Sequence, residues 1–358
     1  MQNKETFLTN NFDLIRLIAA LQVVFSHGYS HLNISGDVLY KALSYFPGVP
    51  VFFFISGYLI SSSYVNNDNI FQYSINRVLR IYPALIVCTL LSILAVYLTG
   101  YFSNHESGVK EFFIWILGQI SFVQFYNPDF MREFGTGVLN GSLWTIAVEL
   151  QFYFIVPLLY FLINKIRAGI NTTLILLIIL FIGVSQLYAL LGDNYSENIL
   201  YKLLGVSFAP WFYMFLAGVF FQHNFVKIYS LSNKFRIAIG GGGVALYLLI
   251  IENFNISMGN HINPIAFFIM IILLFVAAYS SPEISNSILR RKDISYGVYI
   301  YHIPVINIFI YYGYTGNIGN FISVLMLTIV LGIFSWILVE RPSLLLKKKT
   351  IHSLLKNK

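Results

Sequence analysis

Charge is what this chain most lacks. Only 10% of its 358 residues are Asp, Glu, Lys or Arg, against about 25% in a soluble globular domain. An ordinary soluble fold is thereby excluded. Cysteine is nearly absent as well: Cys88 stands alone in an apolar run, so no disulfide framework forms within the chain. The sequence contains no HExxH zinc helix, no Walker loop and no GxSxG elbow, and no metal site is expected. Internal repeats, heptad runs and low-complexity linkers are missing. Residues 1–12 are polar, and the first apolar segment lacks a small-residue cleavage site. It is therefore expected to be a permanent helix, not a cleaved signal peptide. No soluble domain is expected at either end.

What is abundant is apolar. Hydrophobic residues make up 57% of the chain and aromatics 17%, with a mean hydropathy of +0.72. This composition predicts an all-α polytopic membrane bundle, read as one domain over residues 1–358. Windows near the ~20 residues needed to cross hydrocarbon lie at about 12–30, 45–64, 81–100, 142–164, 173–191, 203–222, 236–252, 263–280, 295–312 and 320–345. A shorter apolar segment covers 112–127. Lys and Arg exceed Asp and Glu by seven, and the excess reads as a topology signal, not a nucleic-acid one. With the N-terminus inside, the basic loops NRVLR (76–80), NKIR (164–167), KIYSLSNKFR (227–236), LRRK (289–292) and the closing LLKKKTIHSLLKNK (345–358) all face the cytoplasm. The loops around NHES (104–107), GDNYSEN (192–198) and ENFNISMGNH (252–261) face outward. The scheme holds only if 112–127 fails to cross. The expectation is ten spans, one re-entrant or interfacial segment and two cytoplasmic termini. GGGG at 240–243 falls inside a span and reads as a close-packing surface for another helix, not a phosphate loop.

The first window, LIRLIAALQVVFSHGYSH, carries Arg16 and His27 eleven residues apart. Eleven helical residues advance about 20° beyond three full turns and rise about 16 Å, so both side chains lie on one stripe. Asp13, three residues before Arg16, can pair with it. Two readings are open. Arg16 and His27 could snorkel to the two interfaces, or they could be functional groups, the default for ionisable residues inside a membrane.

The stretch NFDLIRLIAALQVVFSH resembles the opening of the acyltransferase-3 family, an Asp-x-x-Arg followed by ten residues and a His. FPGVPVFFFISGYLI (46–60) resembles its second-helix motif, with Ser56 and Gly57 in place and Pro50 where many members carry Asp. NRVLRIYP resembles an Arg-x-x-Arg-x-x-Pro element through Arg77 and Arg80. GSLWTIAVELQFYFIVP (141–157) resembles a signature that usually holds an acidic doublet; here Glu149 is followed by Leu150. SYGVYIYHIPV (295–305) carries His302 at its motif position, and VERP (339–342) resembles the closing Glu-x-Pro, with Glu340 and Arg341 read as interface markers. Gly192-Asp193-Asn194 does not match the Gly-Asp-Ser block of the esterase domain that some members carry.

The resemblance implies transfer of an acyl group, expected to be acetyl, from cytoplasmic acyl-CoA to a hydroxyl of an envelope or secreted carbohydrate across a bacterial cell membrane. No permanent cofactor is implied. His27 is the expected general base, with Glu149 as its orienting acid. Arg16, Arg77 and Arg80 are expected to hold the phosphates of coenzyme A, since guanidinium pairs bind phosphate bidentately. Asp13, Ser56, Gly57 and His302 have supporting roles, His302 as a core histidine bonded to a neighbour. Partners expected are membrane lipid, acyl-CoA and carbohydrate, with polysaccharide-assembly proteins or a second copy as further options and no nucleic acid. Three rivals remain at this point. One is a proton-coupled transporter or flippase of a glycan intermediate. Another is an acyltransferase of the unrelated O-acyltransferase type centred on His302. The third is an assembly subunit without chemistry.

Overall fold

The computed structural model describes all residues except 1–6, 8, 37, 67–68, 106–107, 167–168, 255, 291 and 347–358. Most of the closing basic run, together with Arg167, Arg291 and Glu106 of the loops used for topology, lies outside the described residues. Among those described, every regular element is helical and there is no strand. Five helices are long and apolar enough to cross a membrane: Val38–Val65, Ile70–Leu98, Gly141–Lys165, Ile170–Tyr195 and Ile318–Leu346. Two bent pairs raise the number to as many as seven. The chain is a multi-pass helical membrane protein.

Each of the ten apolar windows is occupied by helix, but not always by one straight helix. Window 203–222 is broken between Ile199–Gly205 and Ala209–His223, which meet at 46°. Window 236–252 belongs to the pair Phe225–Lys234 and Ala238–Phe254, bent by 88°. The first helix, Phe12–His31, has 20 residues, enough to span at ~1.5 Å each. Asp13, Arg16, Gln22 and His27 dilute its apolar character. Pro264–Ser280 and Ser295–Tyr311 are apolar but only 17 residues long. The short segment is an 11-residue helix, Val109–Gln119, rising about 16 Å against a hydrocarbon core of ~30 Å. Gln119 ends it by donating to the carbonyls of Gln124 (3.2 Å) and Tyr126 (2.7 Å), which folds the chain back.

The chain divides into two compact units. The first holds residues 1–22, 41–66 and 151–293. Its first-helix segment is stitched in by Asn11, whose backbone N–H donates to Ala278 O (2.9 Å) and whose side chain donates to Ser281 O (2.7 Å) and accepts from Ser285 N (2.8 Å). The helices Gly48–Val65 and Phe212–His223 meet through two glycines. A Cβ on Gly57 would overlap the Phe215 carbonyl, and one on Gly218 would overlap that of Phe54. The backbones therefore touch, as in small-residue interfaces between membrane helices. The break before Phe212 is held by Gln151, which donates to Val206 O and accepts from Phe208 N, each at 2.9 Å. Gln151 sits in the 141–157 motif, and bracing this bend is the part it plays in the fold.

The second unit holds residues 23–40, 67–150 and 294–358. Ser295–Tyr311 packs on Ile318–Ser335 where Gly297 meets Gly332. Pro304 lies inside Ser295–Tyr311. Having no N–H, it leaves the carbonyl four residues back unbonded. That carbonyl, Ile300 O, accepts instead from Asn140 Nδ2 (2.7 Å) and Cys88 Sγ (3.3 Å). Further along, Asn307 accepts from the backbone N–H and the hydroxyl of Thr136 (2.9 Å each) and donates to Val138 O (2.8 Å) and Leu139 O (3.1 Å). Gly135, at φ +57°, packs against Asn307 where no side chain fits. The irregular stretch before Trp144 is thus clamped to one helix.

Three sequence expectations need correction here. The helix expected from residue 81 starts earlier: Asn69 accepts from Phe71 N and begins it at Ile70, so the basic stretch 76–80 is helical and Arg77 and Arg80 share a face, as their spacing of three implies. GGGG at 240–243 is not a close-packing surface throughout. It forms a π-helical turn at the bend, and a Cβ at Gly240, Gly241 or Gly242 would meet nothing within 4 Å. Glu340 is no interface marker. It is 2% exposed, lies in the π-helical turn Trp336–Glu340, and accepts from Ser335 Oγ at 2.9 Å.

The two glycine sites give a paired prediction. Gly57→Ala forces a methyl into backbone and lowers stability by about 1–3 kcal/mol. Gly241→Ala enters open space and is neutral or stabilising by up to ~1 kcal/mol. Thermal unfolding of the two purified variants in one detergent checks the contrast; equal losses would remove the packing account.

Candidate active site

In the first unit, Asn10 begins the first helix by accepting from Phe12 N at 3.0 Å, and Asp13 and Arg16 follow in its opening turns. Arg16 pairs with Asp13 and, at 2.8 Å, with Asp293. Its side chain is 20% exposed and that of Asp293 only 8%. One guanidinium therefore serves two carboxylates. Asp293 was missed from sequence. Its only signal is its place two residues before the 295–305 motif.

The second unit brings together two of the sequence-predicted residues. His27 Nδ1 lies 2.8 Å from His302 Nε2, with the rings near-parallel at 18° and their centroids 5.1 Å apart. His302 is fully buried, whereas His27 is partly exposed. The second ring nitrogen of His302, Nδ1, bonds the backbone carbonyl of Tyr299 one turn back. Tyr299 is itself held through its hydroxyl, 2.7 Å from Thr145 Oγ1 and 3.3 Å from Ser142 O. Among the described residues His27 makes this one hydrogen bond. Its Nε2 has no partner, and no hydrogen bond joins it to Glu149. Glu149 stands on the Trp144–Lys165 helix, partly buried, within electrostatic range of Tyr299. The expected orienting acid is thus replaced, at the Nδ1 side of His27, by a second imidazole. His302 is bonded to a neighbour as expected, and that neighbour is His27.

Arg77 and Arg80 lie on one face of the Ile70–Leu98 helix, both partly exposed, with the Arg77 guanidinium 5.9 Å from the centre of the Tyr73 ring. Ser56 and Gly57 sit on the Gly48–Val65 helix of the first unit, Gly57 in the helix contact described above. Among the described residues no cluster of three His, Cys, Asp or Glu could hold a metal ion. A partly exposed imidazole with a free ring nitrogen, backed by a sealed polar chain, is equipped to take a proton from a hydroxyl.

Such a site in a helical membrane protein defines a class before it defines a family. Comparison with known proteins supplies the family. The acyltransferase domain model of the acyltransferase-3 family matches residues 9–340, and the chain belongs to that family. It is 32% identical to nodulation protein 10 of Rhizobium leguminosarum bv. viciae over 366 residues, covering 96% of this chain and 95% of that protein. It is 28% identical to the O-acetyl transferase of Shigella phage Sf6, covering 93% and 95%. Identity to the O-acetyltransferase OatA of Staphylococcus aureus (strain NCTC 8325 / PS 47) is 22%, over 83% of this chain but 52% of that longer protein. No solved structure matches. The chain is an acyltransferase of the membrane.

The Arg16 cluster yields a stability prediction. Arg16→Gln removes the Arg16 guanidinium from the mostly buried Asp293 and destabilises by about 1–3 kcal/mol. Adding Asp293→Asn recovers part of that loss, and a double-mutant cycle on thermal unfolding measures the coupling. Additive losses would mean that the two side chains do not depend on each other.

Proposed function

We propose that this protein moves an acetyl group from acyl-CoA on the cytoplasmic side to a hydroxyl of an envelope or secreted carbohydrate on the other side of a bacterial cell membrane. Family membership makes it an acyltransferase, and relatives named O-acetyl transferase favour acetyl and oxygen. The observation that carries the mechanism is the partly exposed His27 imidazole, whose Nε2 has no partner among the described residues while its Nδ1 is bonded to His302.

A sugar hydroxyl is a weak nucleophile while it keeps its proton. In the proposed reaction His27 Nε2 takes that proton as the oxygen attacks the thioester carbonyl. The tetrahedral intermediate collapses with cleavage of the C–S bond, and the leaving thiolate takes the proton from His27. The product ester and free coenzyme A balance the atoms. General base catalysis of this kind contributes about 10²–10⁴-fold. The donor's phosphates cannot enter hydrocarbon, so the charged head stays at the membrane face and the pantetheine arm reaches inward. Arg77 and Arg80 suit those phosphates. Arg16, on the same helix as His27 and about 16 Å from it along the axis, already serves Asp13 and Asp293 and is assigned a structural part beside any contact with donor. Glu149 is retained as an acid near the reaction through its neighbourhood with Tyr299.

Two measurements test this reading. Purified protein given acetyl-CoA and carbohydrate acceptor should release free thiol, and His27→Ala should lower that rate by ~10²-fold or more with membrane insertion intact. Envelope and secreted polysaccharide from a deletion strain should lose base-labile ester groups. A transporter would consume no acyl-CoA, and unchanged turnover in the His27→Ala protein would remove the imidazole from the chemistry.

A further inference from the structure

His302 touches no solvent, so it cannot meet either substrate. Its two ring nitrogens are both engaged, Nδ1 with the Tyr299 carbonyl and Nε2 with His27 Nδ1. A carbonyl oxygen can only accept a hydrogen bond, so the hydrogen in the first contact sits on Nδ1 of His302. A neutral ring protonated there presents a lone pair at Nε2. The 2.8 Å contact then needs its hydrogen from His27, on Nδ1. A neutral His27 protonated at Nδ1 has its own lone pair at Nε2, the nitrogen with no partner among the described residues. The alternative, a doubly protonated His302, would put a full charge on a ring with no exposure, faced by a backbone carbonyl and another imidazole.

We propose that His302 is a positioning residue of the transferase reaction: anchored on the Tyr299 carbonyl, it holds His27 in the tautomer and orientation that leave Nε2 free to accept the hydroxyl proton. The proposal rests on the reading of His27 as the base. It assigns to a histidine and a main-chain carbonyl the part a carboxylate plays in serine hydrolases. When His27 Nε2 takes the hydroxyl proton, the positive charge that develops is shared into the Nδ1–H···Nε2 bond. The hydrogen on Nδ1 need not leave. The proton on Nε2 goes on to the leaving thiolate, and the pair returns to its starting state.

Two substitutions of nearly equal volume separate this role from simple packing. Gln at 302 keeps an acceptor near the position of the original Nε2, and Met does not. His302→Met should reduce kcat by about 100-fold or more with KM for acetyl-CoA and for acceptor little changed, since misplacing the base in a triad costs up to ~10⁴. His302→Gln should return kcat to within roughly 10-fold of the parent. If the Met protein is not recovered from membranes, His302→Asn takes its place: its shorter amide reaches the Tyr299 carbonyl but not His27. Equal rates in the Gln protein and the acceptor-lacking protein, or a loss seen only in KM, would overturn the proposal. His27→Gln, measured alongside, keeps the two readings apart. An active His27→Gln protein sinks the general-base mechanism itself, whereas an inactive one beside a fully active His302→Met protein sinks only the role of His302.

Discussion

Inside a bilayer there is no water to answer an unpaired polar group, so each one must find its partner in the protein. In the second unit this constraint gathers on one helix, Ser295–Tyr311. Pro304 frees the Ile300 carbonyl, and Asn140 and Cys88 take it. Asn307 spends all its hydrogen-bonding capacity on Thr136, Val138 and Leu139. His302 uses the Tyr299 carbonyl behind it and His27 in front. These obligations are met by different parts of the unit, so the helix acts as a template. The irregular stretch before Trp144 and the closing part of the first helix are both registered against it. Loss of any one partner leaves a buried donor or acceptor at about 1–3 kcal/mol. That is how the His27 imidazole, the base in the proposed reaction, is held in place.

How much of this was legible in the sequence depends on whether the physics is local. Hydropathy is local, and the ten apolar windows all turned out helical. The eleven-residue spacing of Arg16 and His27 is local too, and the unbroken helix Phe12–His31 preserves it. The family match spans residues 9–340, as the ordered motifs suggested. Bends are not local. A hydropathy window cannot see that Gln151 braces one break, or that the π-helical turn at 238–243 marks another. The start of the helix that carries Arg77 and Arg80 was placed too late for a related reason. Basic residues mark the membrane face, but the helix had begun earlier, at a cap supplied by Asn69.

The site shows the same division. Each histidine could be picked out singly, yet nothing in the sequence says that positions 27 and 302 meet. Glu149 was the natural guess for the orienting group because carboxylates usually do that work, and sequence offers no measure of which helices face each other. Asp293 escaped for the opposite reason. An acid beside Lys292 in a basic loop looks like ordinary surface, and only the fold shows it closing on Arg16.

The first helix shows why the pattern of charge along it matters. At one end a guanidinium is held by two acids, and about three turns further on an imidazole is held by another imidazole. A carboxylate beside His27 would stabilise the imidazolium strongly and bring a second formal charge into apolar surroundings, at a desolvation cost of several kcal/mol. A neutral histidine anchored on a backbone carbonyl gives the same directional bond with no added charge. The ion cluster belongs to the opening turns of the helix and the histidine pair to its closing turns.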